Sequence, residues 1–140
     1  MTTSKVDAGC QVYESIPKML EEVSRAYFGE VALDEKGKGA LSYGEVNALV
    51  RSLVVDLRSA GVKREDRVAV VIPNGREMCT TLLGVCSAAI AAPLNPGYQE
   101  SEFADYFREI RVSFLVIRRG VPSPARIAAA KMGIRVLEVT

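Results

Sequence analysis

Val68-Ala69-Val70-Val71-Ile72 is an unbroken apolar run, four of its five residues β-branched, and it constrains the fold more than any other stretch of the sequence. A strand with one wet face alternates apolar and polar residues. An unbroken run needs cover on both faces, as in a parallel sheet lying between helices. Pro73 stops the run. Three shorter apolar segments follow, at Ile90-Ala91-Ala92, Phe114-Leu115-Val116-Ile117 and Ile134 to Val139.

Between these segments the apolar spacing becomes helical. Met78, Leu82, Val85 and Ala89 predict the inner face of a helix that begins after Asn74, with Asn74 as its N-cap and Glu77 at the third position. Phe103, Tyr106, Phe107 and Ile110 mark a second helix. Ser123-Pro124 starts another, Ala125 to Met132, and Gly133 closes it. The order β-α-β-α-β-α-β predicts an α/β fold: a mostly parallel sheet with helices on both faces and right-handed crossovers.

Ahead of that body the pattern differs. Ile16, Leu20 and Val23 give an amphipathic helix after Ser15, with Pro17 in its first turn. Val31-Ala32-Leu33 and Ala40-Leu41 flank the turn-rich Asp34-Glu35-Lys36-Gly37-Lys38-Gly39, a short β-hairpin. Ser42-Tyr43-Gly44-Glu45 has the form of a capping box. An apolar stripe follows, Val46, Leu49, Val50, Leu53, Val54 and Leu57, and Gly61 stands where a left-handed closing residue is expected. The 140 residues therefore divide into a leading helical segment (1–30), a hairpin (31–41) and alternating α/β (42–140), within one domain.

Composition narrows the chemistry. The chain has no histidine, which removes Ser-His-Asp and Cys-His nucleophile systems, His-containing zinc sites and HExxH metalloproteases. A net charge of +1 with interleaved signs gives no footprint for nucleic acid. No apolar run approaches the roughly 20 residues of a membrane span, and the polar start Met-Thr-Thr-Ser-Lys lacks a secretory leader's pattern. Cys10, Cys79 and Cys86 have no metal spacing, and Cys79 and Cys86 fall seven apart on one helical face. They read as buried small apolar residues in a reducing compartment, the cytoplasm.

Ligands of open α/β sheets bind at the carboxyl ends of strands. Three such ends occur here: Pro73-Asn74-Gly75, Pro93 to Tyr98, and Arg118-Arg119-Gly120. None contains GxGxxG or GxxxxGK[ST]. Gly37-Lys38-Gly39 resembles a phosphate loop superficially, but no strand–loop–helix context follows and a hairpin turn is the better reading. A phosphoacceptor would need Asp at the strand's carboxyl end, where Asn74 stands and Asp66 does not. Arg118-Arg119 reads as a solvated strand end rather than an anion site. Tyr98 is open to stacking on a ligand, while Tyr106 and Phe107 read as core.

Three strings then point to a family. Leu41-Ser42-Tyr43-Gly44-Glu45-Val46 resembles the first core motif of the adenylate-forming superfamily, L-[TS]-Y-x-E-L. Gly61-Val62, Asp66-Arg67-Val68-Ala69 and Pro73-Asn74 resemble its G-V-x-x-G-D-R-V-A…P-N segment, and residues 82–98, ending Ala92-Pro93-Leu94-Asn95-Pro96-Gly97-Tyr98, resemble its second core motif. Glu102-Phe103 and the Phe114–Ile117 segment fit the helix and strand that follow, so the resemblance runs over about residues 12–139. Departures exist. Glu65 stands where the family usually has Gly, Cys86-Ser87-Ala88-Ala89 where it has a basic residue and Ala-Gly, and Gln99 where Thr often caps the next helix.

The resemblance implies the N-terminal subdomain of an adenylate-forming ligase. Asn95 in Pro-Leu-Asn-Pro is most like the acyl-CoA synthetases, including oxalate, small-acid and fatty-acid ligases. Such an enzyme turns a carboxylic acid and ATP into an acyl adenylate and pyrophosphate, then passes the acyl group to CoA. ATP, Mg and CoA are thus implied for a full-length enzyme, and no string here matches the family's phosphate-binding loop or its catalytic lysine. No catalytic, cofactor-binding or metal residue is assigned in this chain. Leu41, Ser42, Tyr43, Glu45, Asp66, Arg67, Pro73, Asn74, Pro93, Asn95, Pro96 and Tyr98 are assigned as motif scaffold. The expected partner is the missing C-terminal part of a ligase. The alternative is a stand-alone binding or oligomerisation module that self-associates through an open sheet edge.

Overall fold

The computed structural model describes residues 11–140. In chain order the elements are α1 (Ile16–Ala26), β1 (Val31–Glu35), β2 (Gly39–Ser42), α2 (Tyr43–Ser59), β3 (Arg67–Val71), α3 (Arg76–Ala88), β4 (Ile90–Pro93), α4 (Glu100–Ile110), β5 (Phe114–Arg118), α5 (Pro124–Lys131) and β6 (Arg135–Val139). Cys10 and the first ten residues of the leading segment lie outside the described residues.

The apolar run becomes β3, an interior strand of a four-stranded parallel sheet ordered β4-β3-β5-β6. Its residues alternate between two cores. Val68, Val70 and Ile72 meet Leu57 of α2 and Val85 and Ala88 of α3. Ala69 and Val71 meet Phe103 and Phe107 of α4 and Ala125, Ala128 and Ala129 of α5. All five residues of the run are at most 3% exposed. Both faces are covered, as an unbroken run requires, and each buried Val or Ile contributes about 1.5–3 kcal/mol.

The two layers of helices reach this closeness by different means. On one side small residues of α5 lie against large aromatics of α4. On the other, α3 turns Thr81, Gly84, Val85 and Ala88 inward. A Cβ on Gly84 would stand 2.5 Å from Leu53 Cδ2, so the α2–α3 contact depends on glycine there. The inner face of α3 is thus set by small size as much as by hydropathy. This corrects the expected face of Met78, Leu82, Val85 and Ala89, of which only Val85 is fully buried. It also turns Cys79 and Cys86 outward, and both are exposed rather than buried. Leu49, expected on the buried stripe of α2, is 48% exposed.

The hairpin β1–β2 forms its own antiparallel sheet, with a register irregularity between Val31 and Leu33. Its half-buried Ala32, Leu33 and Leu41 join a third core of Leu20, Val46 and Val50, which binds α1 and α2 together. The capping box forms as expected: Ser42 Oγ accepts from Glu45 N at 3.1 Å, and Glu45 Oε2 accepts from Ser42 N at 2.7 Å. Ser15 and Ser123 cap α1 and α5. Gly61 and Gly133 close α2 and α5 at φ +92° and +68°.

Candidate functional site

From β3 the chain crosses through α3 to β4 on one flank, then through α4 to β5 on the other. The order of the strands reverses there, and ligands of open α/β sheets sit in the crevice outside the carboxyl ends at such a point. The loops around it are 72–75, 94–99 and 119–123.

A cleft of about 500 Å³ opens between the ends of β3 and β4. It gathers five of the scaffold positions: Pro73, Asn74, Pro93, Asn95 and Pro96. The prolines fix φ and offer no N–H. Asn95 spends its Oδ1 on Gly97 N at 2.9 Å, an Asx turn that shapes the loop. Beyond the loop Tyr98 stacks on Tyr106 at 5.1 Å and 14°, and meets Phe103 edge-on at 5.7 Å. The neighbouring Tyr106 pushes the Tyr98 phenol above its ordinary value, and loss of water around the ring and then the charge of Glu102 add to this. Phe107 is core as expected, whereas Tyr106 is 37% exposed because it serves as the stacking partner of Tyr98. No titratable or nucleophilic side chain lines the cleft, so it can shape and hold but has no group to transfer a proton.

The other scaffold positions lie elsewhere. Leu41, Ser42, Tyr43 and Glu45 form the hairpin–α2 junction, where Tyr43 meets Tyr27 at 6.1 Å. Asp66 and Arg67 stand at the amino end of β3, opposite the cleft. Asp66 Oδ2 accepts from Lys63 N at 2.6 Å, and an Arg67 guanidinium N–H donates to Ile110 O at 2.8 Å. Their work is to hold the sheet's far end together.

A charged cluster at the reversal was not anticipated. α3 takes Gly75, not Asn74, as its N-cap, and Gly75 has no side chain to offer. Glu35 of the hairpin supplies one instead: its Oε2 accepts from Arg76 N at 3.0 Å. Lys38 Nζ lies 3.0 Å from Glu35 Oε1 and 3.5 Å from Glu77 Oε2, and Arg118 reaches Glu77 at 3.9 Å. The Arg76 N–H bond, then the hydrogen bond from Lys38, holds the Glu35 carboxyl below its ordinary value, and Glu35 in turn raises the Lys38 ammonium. Gly37 and Gly39 take the turn at φ +83° each, which is the hairpin reading rather than a phosphate loop. Nothing in the local sequence links Glu35 to Arg76; the only hint is a glycine directly before a helix.

A second hollow, about 760 Å³, runs along β6. Leu49, Leu53, Leu57, Leu137 and Val139 floor it, and Asp56, Arg119, Arg126 and Glu138 stand at its rim. Arg126 and Arg119 both pair with Glu138, at 2.7 and 3.8 Å. Outside these hollows, partial burial pushes the Cys86 thiol up. Among the described residues no group of three His, Cys, Asp or Glu could hold a metal ion, and no helix is long and apolar enough to cross a membrane.

Comparison with known proteins adds three findings. Residues 20–139 match the AMP-binding enzyme family. The chain is 32% identical over 123 residues to an oxalate–CoA ligase of Arabidopsis thaliana, and 34% identical over 106 residues to an acyl-CoA synthetase of Alternaria alternata. The matches cover 86% and 69% of this chain but only 24% and 19% of those proteins, so it spans about a quarter or less of their length. Among solved structures, a benzoate CoA ligase from Burkholderia xenovorans superposes with a TM-score of 0.80 at 15% identity, over 92% of this chain and 26% of that one.

Proposed function

Since the chain belongs to the AMP-binding enzyme family, we propose that it forms the amino-terminal scaffold of an ATP-dependent carboxylate–CoA ligase. The complete enzyme would join a carboxylic acid to AMP, releasing pyrophosphate, and then move the acyl group from AMP to the CoA thiol. Oxalate or another small acid is the substrate class favoured by the oxalate–CoA ligase matched over 86% of the chain. The observation carrying this reading is that the family match extends over 20–139 while the relatives are several times longer.

The implied ATP and Mg do not fit the described residues. The cleft at β3 and β4 is lined by no cation to meet a phosphate and by no carboxylate to meet a metal, among the described residues. We assign their ligands, and those of CoA, to the remainder of a ligase. The hollow along β6 is where that remainder would dock, since its apolar floor adjoins a strand edge that is unpaired among the described residues. Exposed free thiols at Cys79 and Cys86 suit a reducing cytoplasm.

Carboxylate-dependent ATP–pyrophosphate exchange tests the proposal. The purified 140-residue chain should give none above background, and the chain extended by a relative's downstream region should give it. Exchange by the short chain alone would overturn the assignment. The same edge of β6, open among the described residues, favours a second reading, a self-associating module. Light scattering over a concentration series separates the two, since a mass that stays monomeric removes the second.

A further inference from the structure

We propose that the tip of the hairpin is a charge latch: Glu35 clasps the first turn of α3, and its protonation frees the tip from the carboxyl end of the sheet while the base of the hairpin stays docked.

The two halves of the hairpin are attached differently. At the base, Ala32, Leu33 and Leu41 lie in the core formed by Leu20, Val46 and Val50, and Tyr43 N and Gly44 N donate to Glu30 O and Phe28 O at 3.0 Å each. At the tip, residues 34–40 give no side chain to any of the three cores. What holds the tip is polar. Glu35 Oε2 accepts from Arg76 N at 3.0 Å, and the Arg76 guanidinium donates to Lys38 O at 2.8 Å and Gly39 O at 3.4 Å. Lys38 bridges Glu35 and Glu77.

Gly75 is shaped for this contact. Its φ is +150°, and a Cβ there would stand 3.0 Å from each Glu35 oxygen. A side chain at 75 would push the carboxylate away, so the latch needs glycine for both conformation and room. The carboxylate meets an otherwise unsatisfied N–H at the positive end of the α3 dipole, which favours the charged acid over the neutral one.

The charged groups around Glu35, among the described residues, are Lys38 from the turn and Arg76 and Glu77 from α3, with Arg118 from β5 held against Glu77. The sign follows from these neighbours. The bond from Arg76 N and then Lys38 hold the Glu35 carboxyl below 4.5. Its contribution is complete above that value and is lost as the pH falls through the lower folded value. Lys38, raised above 10.5 by Glu35, keeps its part until the pH climbs through that higher value.

Hydrogen-exchange protection factors, resolved by segment, test the latch. In the full chain at pH 7, Glu35→Ala should lower protection of residues 34–40 and 75–79 by about tenfold or more and leave β3 unchanged. The wild type should lose the same protection when acidified through the lowered Glu35 value, below 4.5. Glu35→Gln, which cannot titrate, should show no such acid step. The proposal fails if Glu35→Ala leaves both segments protected, if the acid step persists in Glu35→Gln, or if β3 loses protection together with the tip.

Discussion

Val68, Ala69 and Val70 of β3 have no exposed surface, whereas Val31 of β1 is 59% exposed and its turn is polar throughout. The sheet is held from above and below by apolar contact, and its parallel registers run without interruption. The hairpin is held at its base by a small core and at its tip by ion pairs and one helix end. One chain thus carries a region stabilised by area and a region stabilised by geometry. Area tolerates small shifts of position, but a hydrogen-bonded cap is lost when its distance or angle is lost.

This contrast orders the expected effects of substitution. Phe107→Ala removes a ring that is 1% exposed between α4 and the sheet, and should cost about 3–5 kcal/mol in urea unfolding, with hairpin and sheet lost in one transition. Separate transitions would mean that the two regions are independent units. Gly84→Ala forces a methyl into Leu53 at the α2–α3 contact and should cost about 1–3 kcal/mol by the same measurement, with Leu53→Ala partly restoring the double variant. Ser42→Ala breaks the capping box at the junction of the two regions. A loss of about 1 kcal/mol is expected, seen in thermal unfolding and in faster exchange at the start of α2. Arg118→Gln removes only a surface pair of 3.9 Å and should change stability by no more than about 0.2–1 kcal/mol, less still at high salt. A larger loss would show that charge holds the sheet end more firmly than the contrast allows.

The sheet was legible in the sequence because its signal is local. Val68 to Ile72 must be covered on both faces wherever it lies, and the helices that cover it announce themselves by period and caps. The hairpin's existence was equally legible from its turn residues. Its anchorage was not, because Glu35 and Arg76 are far apart in the chain and each is unremarkable alone. The N-cap assigned to Asn74 failed for that reason: a long-range carboxylate replaced a local amide. The cysteines failed for another. Hydropathy ranks Cys79 and Cys86 above Thr81 and Gly84, but a close helix–helix contact selects for smallness, which turned the small polar residues in and the thiols out. Tyr106 likewise followed helical spacing toward the core until Tyr98 offered it a ring at the surface. The candidate cleft was half visible. Its prolines and asparagines stood in two recognisable strings, but only the parallel pairing of β3 with β4, with Val70 opposite Pro93, brought Pro73 and Pro93 to one cleft.

The position of β3 has a consequence for how the chain is made. It lies between β4 and β5, yet it leaves the ribosome before either of them. Val68 pairs with Phe114 and Val71 with Ile117, so the most apolar strand waits, unpaired on one side, until two helices and another strand have been synthesised. Such non-local pairing closes slowly, and a β-branched run without charge or proline is the kind of segment that finds another copy of itself meanwhile. The hairpin and the first two helices, complete earlier in the chain, are on hand to shield it during that interval.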